Sequence, residues 1–345
     1  MAIDQIISLI QAAIVFGTVI MFGAIGETLT EKAGNLNLGV PGIMYLGGIA
    51  GLVGVFFYEK SVLEPNKLLC ILIAVVCAFL ASMIGGLIYS LLTITLRANQ
   101  NVTGLTLTIF GSGVANFFGG SLNKLAGGVG QISVATTSQA FRWNITNVAD
   151  FGAFGKMFLS YGFMAYVAII IAIVSQIFLS KTRKGLSLRA VGENPATADA
   201  VGINVIKYKY LATCIGAGIS GLGGLYYVMD YTKGTWANDG TIETLGWLAV
   251  ALVIFAKWKP KNTLWGSYLF GVLYWMFFYV TSITQMINSK IPFFPVIELT
   301  RSSQELFKML PYLVTIIVLI VTSMRRKRED QPPQSLGLAY FREDR

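Results

Sequence analysis

Long apolar runs, separated by short polar segments, occupy most of the 345 residues of this chain. The hydrocarbon core of a bilayer is about 30 Å thick, so a helix that crosses it needs about 20 apolar residues. By that measure the pattern predicts nine spans, at residues 6–26, 38–58, 68–95, 102–119, 158–180, 209–229, 244–257, 262–284 and 308–324. We therefore expect a single membrane domain over residues 1–325 and a cytoplasmic tail at residues 326–345. The tail after Arg328 mixes charges with Pro332, Pro333 and Gly337, so it is expected to be loose.

The composition agrees with a membrane protein. Hydrophobic residues make up 54% of the chain and charged residues 12%, which leaves too few polar groups to coat a soluble globule. The expected fold is an all-α polytopic membrane protein with about eight to ten transmembrane helices, some of them short or broken.

Three of the predicted spans are poor bilayer helices. Span 244–257 is short, span 102–119 carries several hydroxyl and amide side chains, and span 38–58 is entered through Asn35, Asn37 and Pro41. Such segments are tolerated where protein or a water-filled cavity satisfies their polar groups. They are therefore candidates for the walls of a pathway, with burial inside the bundle as the alternative.

Small residues recur at every fourth position in several spans, as in the sets Gly216, Ser220, Gly224; Gly111, Ala115, Gly119; and Gly47, Gly51. Such stripes let two helices approach until their backbones touch. The pattern predicts close helix packing at these positions.

The distribution of basic residues predicts the orientation of the chain. Segment 181–209 carries six Lys or Arg and two acids, and further basic residues occur at 257–261 and 325–328. By the positive-inside rule all three regions face the cytoplasm. Nine spans then place the N-terminus outside, together with the connections 120–156 and 230–243.

Segment 181–209 also contains the signals of a short helix. Asn194 can cap the free amides at a helix start, and Pro195 at the first helical position loses no needed donor. Gly202 is a typical helix stop. The sequence therefore predicts a helix from Pro195 to Val201, held between two spans on the cytoplasmic side.

Two stretches resemble a known family. The first consists of Gly185, Arg189, Ala190, Gly192, Asn194, Pro195, Ala198, Gly202 and Ile203, and the second is GETLTEKAGNLNLGVPGIMYLGG at residues 26–48. Both are similar to the permease subunits of bacterial ABC importers for simple sugars, branched-chain amino acids and nucleosides. The chain departs from the second motif at Lys32, where Arg is usual, and at Pro41, where an acid is usual. The similarity continues through residues 98–113 and 245–271.

The resemblance implies a type II-like importer fold in the bacterial cell (inner) membrane and a set of partners. In this family two permease subunits form the pathway, two ATPase domains bind below, and a periplasmic or lipid-anchored protein delivers the substrate. Each coupling helix rests in a cleft of an ATPase domain. Carried over by position, the docking element is expected at Arg189, Gly192, Glu193, Asn194 and Pro195, and ends at Gly202.

The energy source is predicted from what the sequence lacks. The chain has no phosphate-binding G-x-x-x-x-G-K-[ST] loop, so ATP and Mg²⁺ are expected on a partner ATPase subunit, and no cofactor or metal is expected on this chain. The alternative is an ion-coupled carrier that acts as a single chain, for which the acids Glu27, Asp230 and Glu243 lie at predicted span ends. Membrane enzyme and nucleic-acid-binding functions are disfavoured, since no catalytic cluster or basic nucleic-acid surface is apparent.

For a substrate pathway the candidates are neutral side chains, namely Asn35, Asn37, Gln100, Asn101, Thr103, Thr106 and the aromatic Trp247. Amides and hydroxyls offer donors and acceptors without fixed charge, which suits neutral solutes. The sequence therefore favours nucleosides, and next simple sugars, over amino acids. Helix-to-helix hydrogen bonding remains the alternative role for each polar residue.

Overall fold

The computed structural model describes residues 2–125, 131–143, 152–290, 301–325 and 328–341. Within these ranges the regular structure is helical, apart from an isolated bridge between Ser133 and Thr235. The helices are α1 Ala2–Lys32, α2 Val40–Ser61, α3 Lys67–Ser90, α4 Gln100–Leu125, α5 Ala135–Phe141, α6 Gly152–Phe158, α7 Phe163–Lys181, α8 Arg183–Glu193, α9 Pro195–Ala200, α10 Val205–Tyr226, α11 Thr241–Phe255, α12 Pro260–Lys290, α13 Arg301–Lys308 and α14 Leu310–Arg325. One π-helical turn extends α3 over Leu91–Thr95, and another extends α10 over Tyr227–Tyr231.

The predicted all-α membrane fold is confirmed. Within the described residues seven helices, α1, α2, α3, α4, α7, α10 and α12, are long and apolar enough to cross a membrane. The two remaining predicted spans coincide with shorter apolar helices, at Thr241–Phe255 and Leu306–Val321. Each packs on other helices of the bundle, where a length below the usual 20 residues is tolerated.

One end of the bundle collects the carboxyl ends of α1, α7 and α11 together with α8, α9 and residues 328–341; we call it the basic end. Lys257 and Lys259 lie there, each 2.9 Å from a carboxylate oxygen of Asp330. At the opposite end, the Gln11 amide of α1 donates to Lys156 O at 2.8 Å. The amino terminus therefore lies opposite the basic end, as nine alternating spans require.

Three sequence expectations differ from the structure. Helix α1 continues six residues beyond the predicted span 6–26, because the acids after Gly26 lie inside the protein and not in water. Segment 181–209 holds a helix that was not predicted, α8, which Thr182 caps by accepting the Gly185 N–H at 3.0 Å. The tail was expected to be loose, which is wrong for residues 328–341, because they pack on the basic end. Of the basic run 325–328, residues 326 and 327 lie outside the described ranges.

The helices cross at glycines, as the small-residue stripes predict. A Cβ on Gly47 of α2 would lie 2.5 Å from the Gly221 Cα of α10, and one on Gly216 would lie 2.6 Å from Thr30 Oγ1 of α1. Ser220 adds a hydrogen bond to Gly23 O at 3.1 Å. The two halves of the chain are therefore joined by direct backbone contact through α10.

Substitution of Gly47 tests this packing. Because the methyl group of Gly47→Ala would meet the α10 backbone, we expect a loss of about 1–3 kcal/mol in the free energy of unfolding. The matched control is Gly113→Ala in α4, where a Cβ meets nothing within 4 Å. The measurement is thermal unfolding of the purified subunit in detergent, and equal midpoints for the two variants would contradict the assignment.

Candidate functional site

The short helix α9 at the basic end is built as the sequence predicts. The Asn194 side-chain oxygen accepts the Thr197 N–H at 3.0 Å, and Pro195 is the first helical residue. Gly202 has φ +85°, a left-handed conformation that glycine adopts without strain. The helix begins at the predicted residue, Pro195, and ends at Ala200, one residue before the predicted end. The predicted local structure is therefore confirmed.

The predicted docking residues divide into an outer and an inner group. Arg189 and Asn194 are exposed and Pro195 is half-buried, so these three lie at the surface of the basic end. Gly192 is buried against the Lys32 carbonyl, and Glu193 forms an ion pair with Arg328. The inner pair therefore attaches the segment to the bundle and to the chain terminus, while docking by the outer group remains a prediction.

A polar connection links α1 to α2 beside this segment. Residues 33–39, which we call the polar connection, leave the helical path and are largely buried. The Leu36 N–H donates to Gln100 Oε1 at 2.6 Å, and the Leu36 carbonyl accepts the Tyr89 hydroxyl at 2.6 Å. The Asn37 N–H donates to Glu27 Oε1 at 3.1 Å. Side chains of α1, α3 and α4 thus replace the hydrogen bonds that a helix would have supplied.

Two buried acids of α1 support this region. Glu27 and Glu31 are 1% and 2% exposed, and they lie one helical turn apart. While Glu27 holds the polar connection, Glu31 accepts the indole N–H of Trp258 in the turn between α11 and α12. Sequence reasoning placed Glu27 at a span end and missed Glu31, Tyr89 and Trp258. The available signal was the pair of acids four residues apart at the end of a long apolar run.

The structure spreads the candidate pathway residues over three places. Asn35 and Asn37 belong to the polar connection, where Asn35 donates to Thr213 Oγ1 at 2.9 Å and Asn37 accepts the Gly39 N–H at 2.9 Å. Gln100, the first residue of α4, contacts the connection by accepting the Leu36 N–H. These hydrogen bonds match the alternative role considered for polar residues.

The other four candidates lie on α4 and α11. Asn101 and Thr106 are on the exposed face of α4, whereas Thr103 is 8% exposed and donates to Asn99 O at 2.8 Å. Trp247 is half-buried on α11. A substrate role for any of the seven residues remains a prediction.

The exposed face of α4 differs from that of α3. After Lys67 at its start, the exposed side chains of α3 are aliphatic and fit lipid, namely Leu68, Leu69, Leu72, Val76, Leu80, Ile84, Leu87 and Ile88. On α4, Asn101, Thr106 and Gly113 share the exposed surface with apolar residues, and the buried Asn116 Oδ1 has no hydrogen-bond partner in the described part of the chain. Polar groups at membrane depth need protein or water beside them. The α4 face is therefore suited to a second subunit or to an aqueous pathway.

Comparison with known proteins identifies the family. The family model described as "Branched-chain amino acid transport system / permease component" matches residues 9–319. The chain belongs to this family. It is therefore a multi-pass permease subunit of an ABC transporter in the cell membrane, and such subunits are not themselves enzymes.

Individual relatives cover nearly the whole permease. It is 30% identical to the putative glucose ABC transporter permease protein TsgC13 of Haloferax volcanii over 340 residues, 97% of this chain and 98% of the relative. It is 30% identical to the guanosine ABC transporter permease protein NupQ of Bacillus subtilis over 92% of this chain and 93% of the relative. The nucleoside ABC transporter permease protein NupC of Lactococcus lactis is also 30% identical, over 89% of each chain. No solved structure matches.

The cap of α9 gives a direct prediction. Asn194→Ala removes the acceptor of the Thr197 N–H, which costs about 1 kcal/mol of local helix stability and corresponds to about fivefold faster amide exchange. Hydrogen exchange at Thr197 measures this effect. Asn194→Asp retains the acceptor and serves as the control, and an unchanged exchange rate in Asn194→Ala would show that the cap does not hold α9.

Proposed function

We propose that this permease forms the translocation pathway of an ATP-driven importer for a small neutral solute, with nucleosides as the first candidate and simple sugars as the second. The observation that carries the coupling part of this proposal is α9, a capped helix presented at the basic end of a chain that belongs to an ABC permease family. ATP and Mg²⁺ bind to a separate ATPase subunit, whose movement reaches the permease through α9.

The positions of the exposed docking residues support this coupling role. Arg189 in α8 and Asn194 at the cap precede α9 in the chain, and Val201, just beyond its end, is 71% exposed although it is apolar. An exposed apolar side chain next to exposed polar groups is typical of a protein contact surface. The basic end lies in the cytoplasm, where the ATPase partner is available.

The substrate class rests on the chemistry of α4 and on the relatives. Amides and hydroxyls on its exposed face can hydrogen-bond hydroxyl groups or bases without a charged partner. Two of the relatives described above are named for nucleoside or guanosine transport and one for glucose transport. Nucleosides combine both kinds of group, which is why they rank first.

The same α4 face supports assembly with a second permease subunit, identical or homologous. The Thr106 hydroxyl donates to Val102 O within α4 at 2.8 Å. The exposed Asn101 amide would be costly against lipid and finds partners on a neighbouring protein surface or in the pathway between two subunits. A substrate-binding protein, soluble or lipid-anchored, delivers the solute at the end of the bundle opposite the basic end.

Ion coupling by the chain alone is the competing mechanism. Its best support would be the buried acids Glu27 and Glu31, yet each accepts from a fixed donor, the Asn37 N–H and the Trp258 indole. We therefore assign Glu27 to holding the polar connection and Glu31 to holding the turn between α11 and α12.

Uptake measurements test the function and its substrate class. The permease is reconstituted in vesicles with its ATPase, its second permease subunit and its binding protein, and uptake of labelled guanosine is followed with excess uridine, adenosine or glucose as competitor. We expect uptake to require ATP, to resist an ionophore, and to be inhibited by nucleosides more than by glucose. ATP-independent uptake that an ionophore abolishes would overturn the importer assignment, and stronger inhibition by glucose would make sugar the substrate.

The docking assignment is tested by the double variant Arg189→Glu, Pro195→Gly. Reversal of an exposed charge and loss of the helix start should abolish substrate-stimulated ATPase activity of the assembled complex, because the ATPase then lacks its contact. The protein should still accumulate in the membrane. Lys181→Glu, a reversal of an exposed charge at the end of α7 and outside the docking residues, is the control, and unchanged stimulation in the double variant would contradict the assignment.

A further inference from the structure

Residues 328–341, which we call the terminal strap, lie across the basic end and contact both the coupling segment and the polar connection. The Ser335 N–H and hydroxyl both donate to Gly192 O, at 3.0 and 2.6 Å. Two residues later, the Gly337 N–H donates to Gly34 O at 3.3 Å. The strap therefore joins α8 to the start of the polar connection with backbone groups on both sides.

Beyond Ser335 the strap reaches α9 and the start of α4. The Tyr340 hydroxyl donates to Asp199 Oδ2 at 3.0 Å, and the Leu338 carbonyl accepts the Gln100 amide at 3.5 Å. Gln100 is the same side chain that holds the Leu36 N–H at 2.6 Å. One chain of hydrogen bonds thus runs from α9 through the strap to the middle of the polar connection.

Parts of the terminal strap are buried in the protein. Ser335 is 6% exposed, and a Cβ on Gly34, whose φ is +86°, would lie 2.7 Å from Ser335 Oγ. Tyr340 packs on the small core beneath α9, formed by Val191, Ala198 and Val205. Because that core is so small, the Tyr340 ring is a substantial part of what α9 rests on.

Ion pairs fix the other end of the strap to a third element. Asp330 lies 2.9 Å from both Lys257 and Lys259 in the turn between α11 and α12, and these two cations lower the pKa of Asp330 to about 2. The carboxylate is therefore charged at neutral pH, and its contribution to strap attachment is present above the ordinary Asp pKa of 3.8 and lost as the pH falls toward 2. Arg328 pairs with Glu193 at the end of α8.

We propose that the terminal strap is a positioning element of the coupling mechanism, which ties α9 to the polar connection and passes displacement of α9 to it. This inference rests on the proposed docking of the ATPase at α9. Helix α9 has only six residues and makes few contacts with the bundle by itself. A second attachment is therefore needed if movement of α9 is to displace α1, α2 and α4 together.

Two variants separate the hydrogen bond from the packing. Tyr340→Phe removes the bond to Asp199 and keeps the ring, and a stop codon in place of Pro332 removes the strap from that point onward. In the assembled complex we expect Tyr340→Phe to lower the amount of solute transported per ATP by about threefold to tenfold, the factor that one hydrogen bond corresponds to. Assembly with the ATPase should match the unaltered protein, and the thermal midpoint should fall by no more than the loss of one hydrogen bond explains. The truncated chain should lose substrate-stimulated ATPase activity.

The control inside the strap is Ala339→Ser, an exposed position between the two contacts, which should leave transport per ATP unchanged. A merely structural role would lower transport and ATPase activity in proportion to the amount of folded protein, and would leave transport per ATP unchanged in Tyr340→Phe. Unchanged transport per ATP in Tyr340→Phe overturns the proposal. This test remains decisive if the truncated chain fails to accumulate, because it depends on Tyr340→Phe alone. If Arg189→Glu, Pro195→Gly abolishes stimulation while the truncation does not, the strap proposal fails and the docking assignment stands; if neither variant changes stimulation, the docking assignment fails as well.

Discussion

The structure depends on the burial of a non-helical stretch of backbone, the polar connection of residues 33–39, inside a bundle of apolar helices. A buried peptide group without a hydrogen bond costs about 1–3 kcal/mol, and within a membrane water is not at hand to replace it. The connection is stable because Glu27, Tyr89 and Gln100 supply fixed partners from three different helices. The hydrogen bonds to the backbone of residues 33–39 therefore hold those three helices in one arrangement.

Close backbone packing is the second half of this constraint. A side chain as short as Thr108 can reach the connection only if the helices approach closely, and Thr108 donates to Leu38 O at 3.1 Å. The approach is possible because glycines lie where α2 meets α4 and α10. The glycine contacts and the polar network thus depend on each other, and neither would form with bulkier residues at the crossings.

The basic end can act as one mechanical unit for the same reason. The polar connection, the α8–α9 segment, the turn at Lys257 and the terminal strap share hydrogen bonds and ion pairs, so no part moves without displacing another. An importer permease needs such a unit, because force applied at one surface has to change the arrangement of helices that surround the solute. The aliphatic face of α3 is suited to lipid, whereas the mixed face of α4 is on the side where a partner or a pathway is expected.

The sequence by itself determined the membrane class, the nine apolar segments and the local structure of α9, because each depends on composition or on neighbours a few residues apart. Asn194, Pro195 and Gly202 carry their meaning within one helical turn, and the motif at residues 26–48 pointed to the family without any tertiary information. Only the tertiary structure decided what the acids of that motif do, why α1 continues to Lys32, and that residues 328–341 are packed and not loose. Glu27 meets Asn37 ten residues later, Gln100 meets Leu36 across 64 residues, and Ser335 meets Gly192 across 143. Partners so far apart in the chain leave no periodic signal. A polar residue in an apolar run gives the same sequence pattern whether its partner is a solute, a neighbouring subunit or the carbonyl of a distant residue.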